Sequence, residues 1–566
     1  MKLFKYIACG LIMAGTAVAF SSCDDKEHLE APRLFSPVVT TSVNANSLVC
    51  TWQGIKEAVS YELTLQRALP NPAEDGSTVY EDVRVVTIDV DPTGATPYSP
   101  YTFENLDWDE RYRVNIKAIG ATKESRIYTT EYTTLTYPTK LRTVNTTIDT
   151  AAKIEWSEGD DVDIAYMNVF LINADGTVTP WHHNSSEGEE AESEYYYTVT
   201  EDDLNASYAE IYALQPETDF RVIAYSADGE YRGRRDFRTQ AAEVFANPDL
   251  VVDLRMEDND TLKSSLFESL PDGAILLLKG GTSYIAPSTL KITKSLTMRT
   301  GMSLSGKATI MASGMAAEGN IPSIRIENLK YTCLPTDDKS SNFGGRYFFN
   351  NGDLYNIGNL VFEDVEVVAQ RGFIRSRKDE QRIDNLVFNN CILDSIGGYK
   401  LVHLDNANTS IGSIKITNST LSNIEGVIRA NNRDNTNIDE VIIDNCTFAY
   451  AGNGELFLFK RDGCCENLSF SMTNCVIGGN FPGKTAKGAT FNAGVTAAFA
   501  NIYVASDFEW ATNADTGEVQ NPLGDWKTMK EGIKDLWVNP EKGDYTFKSG
   551  TLECAEAGDP RWRVAR

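Results

Sequence analysis

From residue 360 the apolar and polar positions repeat one short pattern. "LVFEDVEVV" (Leu360–Val368), "LVFNNCILD" (Leu386–Asp394), "IKITNSTLS" (Ile414–Ser422), "VIIDNCTFA" (Val441–Ala449) and "FSMTNCVIG" (Phe470–Gly478) share it. Each runs apolar, variable, apolar, polar, then Asn or Asp, then a second short apolar stretch. The fifth positions (Asp364, Asn390, Asn418, Asn445 and Asn474) are separated by 26, 28, 27 and 29 residues. Each unit holds three short strands, such as "NLVF", "CIL" and "KLVHLD" (Lys400–Asp405). Short strands at a fixed long period predict a solenoid, here a right-handed parallel β-helix stacking like residues about 4.8 Å apart. The bend between the first two strands needs a left-handed residue, which Asn tolerates best after Gly. Stacked Asn390, Asn418, Asn445 and Asn474 can also bond amide to amide, as in fibrils. Their expected role is folding, not glycan attachment or catalysis.

Upstream the periodicity changes. "DTLKSSLFESLPDG" (Asp260–Gly273) predicts a short amphipathic helix with Asp260 as N-cap and a Pro-Asp-Gly stop. "AILLLKGGTSY", "LKITKSLTMRTG" and "KATIMASG" come next as short strands, so residues 241–566 are expected to be one helix-capped β-helix domain with a C-terminal cap. Residues 31–137 and 138–240 show period-two strands instead: "SLVCTW" (Ser47–Trp52) and "SYELTL" in the first, "AKIEW" (Ala152–Trp156) in the second. Leu106 stands six residues before Tyr112, and Leu214 six before Phe220. An early Trp and a late Leu-x5-Tyr/Phe resemble the fibronectin type III pattern, whose Tyr closes a corner of the sandwich. Phe220 lacks that hydroxyl. Trp52 and Trp156 are expected in the cores. The fold class is therefore all-β: two sandwiches followed by a parallel β-helix.

The chain of 566 residues carries a net charge of −28, which argues against a nucleic-acid partner. Lys2 and Lys5 precede an apolar run too short to span a bilayer, as in a signal peptide (residues 1–22). Ala17-Val18-Ala19 allows cleavage after Ala19 and secretion. "FSSC" (Phe20–Cys23) resembles a bacterial lipobox that would lipidate Cys23, and the adjoining "DDKE" (linker 23–30) resembles a surface-export tag of Bacteroidetes-type lipoproteins. An outer-membrane, cell-surface location is the expectation from that resemblance. Cys391, Cys446 and Cys475 each come directly after the repeat Asn, which marks small packing residues, not metal ligands or disulfides. "GGNFPGKT" (Gly478–Thr485) fits the phosphate-loop pattern, but no helical stripe comes after it, so it reads as a loop.

The helix cap, the "DGAILLLKGGTSY" entry and the Asn-bearing coils resemble the pectate-lyase-type β-helix superfamily. The ending "LWVNPEKGDYTFKSGTLECAEAGDPRW" (Leu536–Trp562) resembles the tail of Bacteroidetes-type β-helix lipoproteins with domains of unknown function, which accompany polysaccharide-uptake systems. In that superfamily the third strand carries the chemistry. Aligning "IRSRKD", "VHLDNA", "IRANNRD" and "FLFKRD" places Arg375, His403, Arg429 and Leu458 in one outward column and Arg377, Asp405, Asn431 and Lys460 in the next. Lys378, Arg433 and Arg461 lie just beyond.

Arg forks suit carboxylates, so a uronate-rich, pectin-like polysaccharide is the expected ligand, with an outer-membrane glycan transporter as a further expected partner. The same ladder also suits a merely solvated face. A lyase acting by β-elimination would need a base, for which Arg375, Arg429 or Lys460 qualifies, and Ca2+ held by several carboxylates. Asp405 is the one acid in the aligned columns, so the calcium site looks incomplete and binding is favoured over catalysis. Adhesion or scaffolding is the third reading.

Overall fold

A computed structural model describes residues 33–565, apart from 70–75, 91–99, 160–161, 182–195, 258, 338–342, 351 and 432–433. Cys23 and Arg433 lie outside the described residues. Two compact units result: one of residues 1–140 with 173–177, the other of 141–172 with 178–566.

The first unit is a sandwich of two antiparallel sheets. Val39–Asn44, Ser47–Trp52 and Tyr101–Phe103 form one; Tyr80–Asp89, Ala58–Ala68, Arg111–Gly120 and Tyr128–Thr133 form the other. Alternate residues of Ser47–Trp52 and Arg111–Gly120 are buried, as the period of two requires. Trp52 sits in the core edge-on to Tyr61, ring centroids 5.3 Å apart. The Asp107 N–H donates to the Tyr112 hydroxyl at 3.0 Å, closing the corner as in fibronectin type III domains.

The second sandwich repeats the plan. Thr146–Thr147, Ala152–Glu155 and Tyr208–Ile211 face Val178–Pro180, Tyr166–Ile172, Asp219–Tyr225 and Tyr231–Arg238. Phe220 packs among Trp181 and Phe237, so apolar contact holds this corner in place of a hydroxyl. An ion triad, buried at Arg255 and Asp149 and open at Asp253, fixes the sandwich to the strand Val251–Asp253 and the turn after it. Arg255, 6% exposed, meets Asp149 through both terminal nitrogens at 2.8 and 3.0 Å and Asp253 at 2.8 Å. Gly301 lets the Arg255 stem pass, since a Cβ there would lie 2.6 Å from its Cδ.

Beyond Val251 the chain winds through about ten turns of a parallel β-helix. Every strand of its two large sheets pairs in parallel. Leu360, Leu386, Ile414, Val441 and Phe470 stack in register and are buried. Fully burying each such side chain contributes roughly 1.5–3 kcal/mol. Phe362 and Phe388 stack with ring centroids 4.8 Å apart. The entry helix is shorter than predicted: it spans Ser264–Ser269, and its N-cap is Lys263 with no side-chain bond. Asp260 does not cap it because the backbone there is drawn into the first coil. The Asp260 carbonyl accepts from Ile285 N–H at 2.8 Å, and the Leu262 N–H donates to the Ile285 carbonyl at 2.9 Å.

Candidate functional site

Two bends per coil set the site's frame. At the first, Asn328, Asp364, Asn390, Asn418, Asn445, Asn474 and Asn501 all have φ between 46° and 55°. The side-chain ladder is less regular than amide-on-amide stacking. Asn501 Nδ2 reaches Asn474 Oδ1 at 3.0 Å and Asn390 Nδ2 reaches Asp364 Oδ1 at 3.2 Å. Asn418 and Asn474 instead step sideways, to Asn389 Oδ1 and Asp444 Oδ1, both at 2.9 Å. The reason is competition: Arg561 Nη2 holds Asn390 Oδ1 at 2.7 Å and Arg563 Nη2 holds Asn445 Oδ1 at 2.6 Å. The second bend uses Ala369, Ser395, Asn423, Tyr450 and Gly479, with φ of 60°, 59°, 49°, 53° and 70°.

The C-terminal segment therefore straps back over the second strands. Outward residues there are small (Thr420, Ser422, Thr447, Ala449 and Gly478), and Thr420, Ser422, Thr447 and Ala449 are buried beneath it. A Cβ on Gly478 would meet the Trp537 ring at 2.7 Å. The Thr420 hydroxyl donates to Asp559 at 2.7 Å, and the Asp559 N–H donates to the Thr447 hydroxyl at 2.9 Å.

The third strands remain uncovered by the strap. Tyr347–Phe349, Gly372–Ser376, Val402–Leu404, Ile428–Arg429, Gly454–Leu458 and Ala486–Thr490 stack in one parallel sheet. Arg375 pairs with His403, His403 with Arg429, and Arg429 with Leu458, so these four occupy one column. Ile374, Val402, Ile428 and Phe457 lie beneath them in the core.

Within the column the four side chains differ. Arg375 donates to Asp405 Oδ2 from Nε at 2.9 Å and from Nη2 at 2.5 Å, and its guanidinium lies 4.2 Å from the Tyr399 ring centroid. Tyr347 meets Tyr399 edge-on at 5.5 Å. His403 is outward by register yet buried, 3% exposed, beside Tyr399. Among the described residues neither ring nitrogen has a hydrogen-bond partner, and Nε2 is 3.8 Å from Asp405 Oδ1. Burial pushes the imidazole down to about 4, with Asp405 opposing, so it is neutral at pH 7. Asp405, the acid the sequence offered for a cation, is buried and committed to Arg375. Arg429 is half-buried and donates to Asn431 Oδ1 at 3.3 Å. Arg377 and Lys460 are exposed. Lys400 is held below its ordinary range by burial, with Glu425 opposing, and donates to the Glu425 carbonyl at 2.9 Å. Among the described residues, no group of three or more His, Cys, Asp or Glu is placed to hold a metal ion.

Residues 282–424 match the family described as a domain of unknown function (DUF4957). Residues 441–562 match a second, also described as a domain of unknown function (DUF5123). The first spans coils that include Arg375 and His403; the second holds Lys460 and most of the strap. No curated protein matches the chain. Among solved structures, a two-domain fibronectin type III segment of chicken tenascin is similar at 13% identity and TM-score 0.16, covering 37% of this chain and 100% of that one. The first three fibronectin domains of chicken CNTN1 are similar at 14% identity and TM-score 0.14, covering 37% of this chain and 68% of that one.

Sequence reasoning missed Tyr347 and Tyr399 beside the column. Tyr347 lies one coil before the aligned strands, in register with Gly372, and Tyr399 lies in the turn before its strand. The three repeat cysteines are buried thiols: Cys391, Cys446 and Cys475 point at the carbonyls of Phe362, Ile416 and Thr473, at 3.4, 3.3 and 3.1 Å. "GGNFPGKT" links Ser469–Asn480 to Ala486–Thr490, so it leads into a strand. Trp510 and Trp526 pack on one another, 5.4 Å apart, against the core.

Proposed function

We propose that the protein is a lipid-anchored surface lipoprotein, attached through Cys23 to the outer membrane, whose β-helix holds an acidic, uronate-containing polysaccharide on the outer face of its third-strand sheet. The supporting observation is the column Arg375–His403–Arg429, with Arg377 and Lys460 exposed beside it. Two guanidiniums two rungs apart, about 10 Å at the parallel spacing, stand on either side of a neutral imidazole. Arg375 is already paired with Asp405, so Arg429 is the planar fork left in the column to meet a carboxylate, and its half-buried position strengthens its field relative to open water.

Migration through gels containing polygalacturonate tests this reading. Retardation that Arg429→Ala reduces severalfold supports it; mobility unchanged on polygalacturonate and on other uronate polymers rejects it. Release of ultraviolet-absorbing unsaturated ends would replace binding by β-elimination, and transporter capture without glycan would replace it by scaffolding.

A further inference from the structure

A second cleft lies where the second sandwich meets the first coils of the β-helix, inside one compact unit. Its volume is about 800 Å3, within the range of roughly 300–1,000 Å3 typical of small-molecule sites. The sandwich contributes Tyr197, Tyr208, Tyr212, Asp203 and Glu210, and the β-helix contributes Lys279 and Glu257. Neither the repeat pattern nor the Arg column includes any of these residues.

The walls have a one-sided hydrogen-bonding character. The Tyr197 hydroxyl donates to Asp203 Oδ2 at 2.9 Å and the Tyr212 hydroxyl to Glu210 Oε2 at 2.7 Å. The neighbouring Tyr196 hydroxyl donates to the Tyr212 carbonyl, and Ser305 of the β-helix donates to Glu210 Oε1. Burial raises the ionisation of Tyr197 and Tyr212 well above the ordinary tyrosine range, reinforced by those carboxylates, so they stay protonated donors. Lys279 lies over the Tyr212 ring, 3.6 Å from its centroid. Arg255 is locked between Asp149 and Asp253. With the Tyr197 and Tyr212 hydroxyls engaged, the cleft offers a ligand the acceptors Asp203 Oδ1 and the exposed Glu257 carboxylate, together with the half-buried Tyr197 ring and the sides of the Tyr208 and Tyr212 rings away from Lys153 and Lys279.

A complementary ligand must bring many donors, have apolar faces and carry no negative charge. Sugar rings meet all three conditions: hydroxyl donors around the rim and C–H faces that lie on tyrosine. We propose that this interdomain cleft is a binding site for a neutral or aminated oligosaccharide, distinct from the Arg column and independent of any uronate held there. A uronate chain is excluded from it by the carboxylates of Asp203, Glu210 and Glu257. The buried Arg255–Asp149 pair holds the two walls at a fixed spacing, so the cleft is organised before the ligand arrives.

Calorimetry on the full chain tests the proposal, using neutral hexaoses of glucose, galactose, mannose and xylose, a glucosamine hexamer, and polygalacturonate. At least one neutral or amino hexaose is expected to bind without competition from polygalacturonate. Thr282→Trp, which fills the cleft from the β-helix wall, should weaken it at least tenfold while leaving migration on polygalacturonate unchanged. Should that variant not fold, Glu257→Gln combined with Asp202→Asn, both lining the cleft at exposed positions, should weaken binding severalfold. The proposal is overturned if no hexaose binds, if spermine alone matches the glucosamine hexamer, or if a folded cleft variant binds as well as the parent.

Discussion

Arg561 Nη2 donates to both the backbone carbonyl and the side-chain Oδ1 of Asn390, at 2.7 Å each, joining positions 171 residues apart. The same guanidinium pairs with the fully buried Asp559 at 2.8 Å through Nη1. Arg561→Ala would leave that carboxylate buried without its cation, the costly way to break such a pair. A loss of about 3 kcal/mol is expected in denaturant unfolding of the β-helix. Asp559→Asn with Arg561→Met together should lose less than Arg561→Ala alone.

Asn418 tests the first bend apart from the strap. Its φ of 50° is left-handed, and its amide reaches Asn389. Asn418→Val should cost about 2 kcal/mol from backbone strain and the lost bond. Asn418→Gly should cost clearly less, because glycine adopts that conformation freely. Equal losses in the two variants would show that the side-chain bond, not the bend, matters there.

His403 links stability to pH. Its imidazole titrates near 6.5 in the open chain and near 4 when folded. Between those values the unfolded chain binds a proton that the folded chain refuses. Stability is therefore at its plateau above about pH 6.5 and falls as pH drops towards 4, by up to about 1.4 kcal/mol per unit. His403→Gln should flatten that part of the stability–pH curve in parallel urea titrations.

The joint at Arg255 is a buried ion cluster away from the strap. Replacing it by Ala strands Asp149, 3% exposed, and should cost about 3–5 kcal/mol. It should also loosen the cleft between the sandwich and the first coils, seen as faster amide exchange at Lys279–Thr282. An Arg255→Met and Asp149→Leu pair should recover much of the stability.

The β-helix was legible because one bend of each coil is filled almost wholly by Asn, at a spacing set by coil length. The second bend was silent: Ala369, Ser395, Asn423, Tyr450 and Gly479 share a backbone conformation but no side-chain chemistry. Register was legible too, since inward Ile and Phe must alternate with outward residues. It put Arg375, His403 and Arg429 in one column but could not show that Tyr399 packs beside His403, because turn residues obey no such alternation. The helix cap was misplaced at Asp260 because a tertiary pairing with Ile285 outcompeted a local signal. The strap and the interdomain cleft were invisible for one reason: their contacts join segments far apart in sequence.

A solenoid ordinarily lengthens or shortens by whole turns, because each rung meets only its neighbours. Here the ending grips four successive rungs at once, through Gly558 on Asn474, Arg563 on Asn445, Asp559 on Thr420 and Arg561 on Asn390. Duplicating or deleting a turn between Asn390 and Asn474 would shift those anchor points by about 4.8 Å and unseat the clasp. This stretch of the spiral is thus fixed in turn count by its own ending.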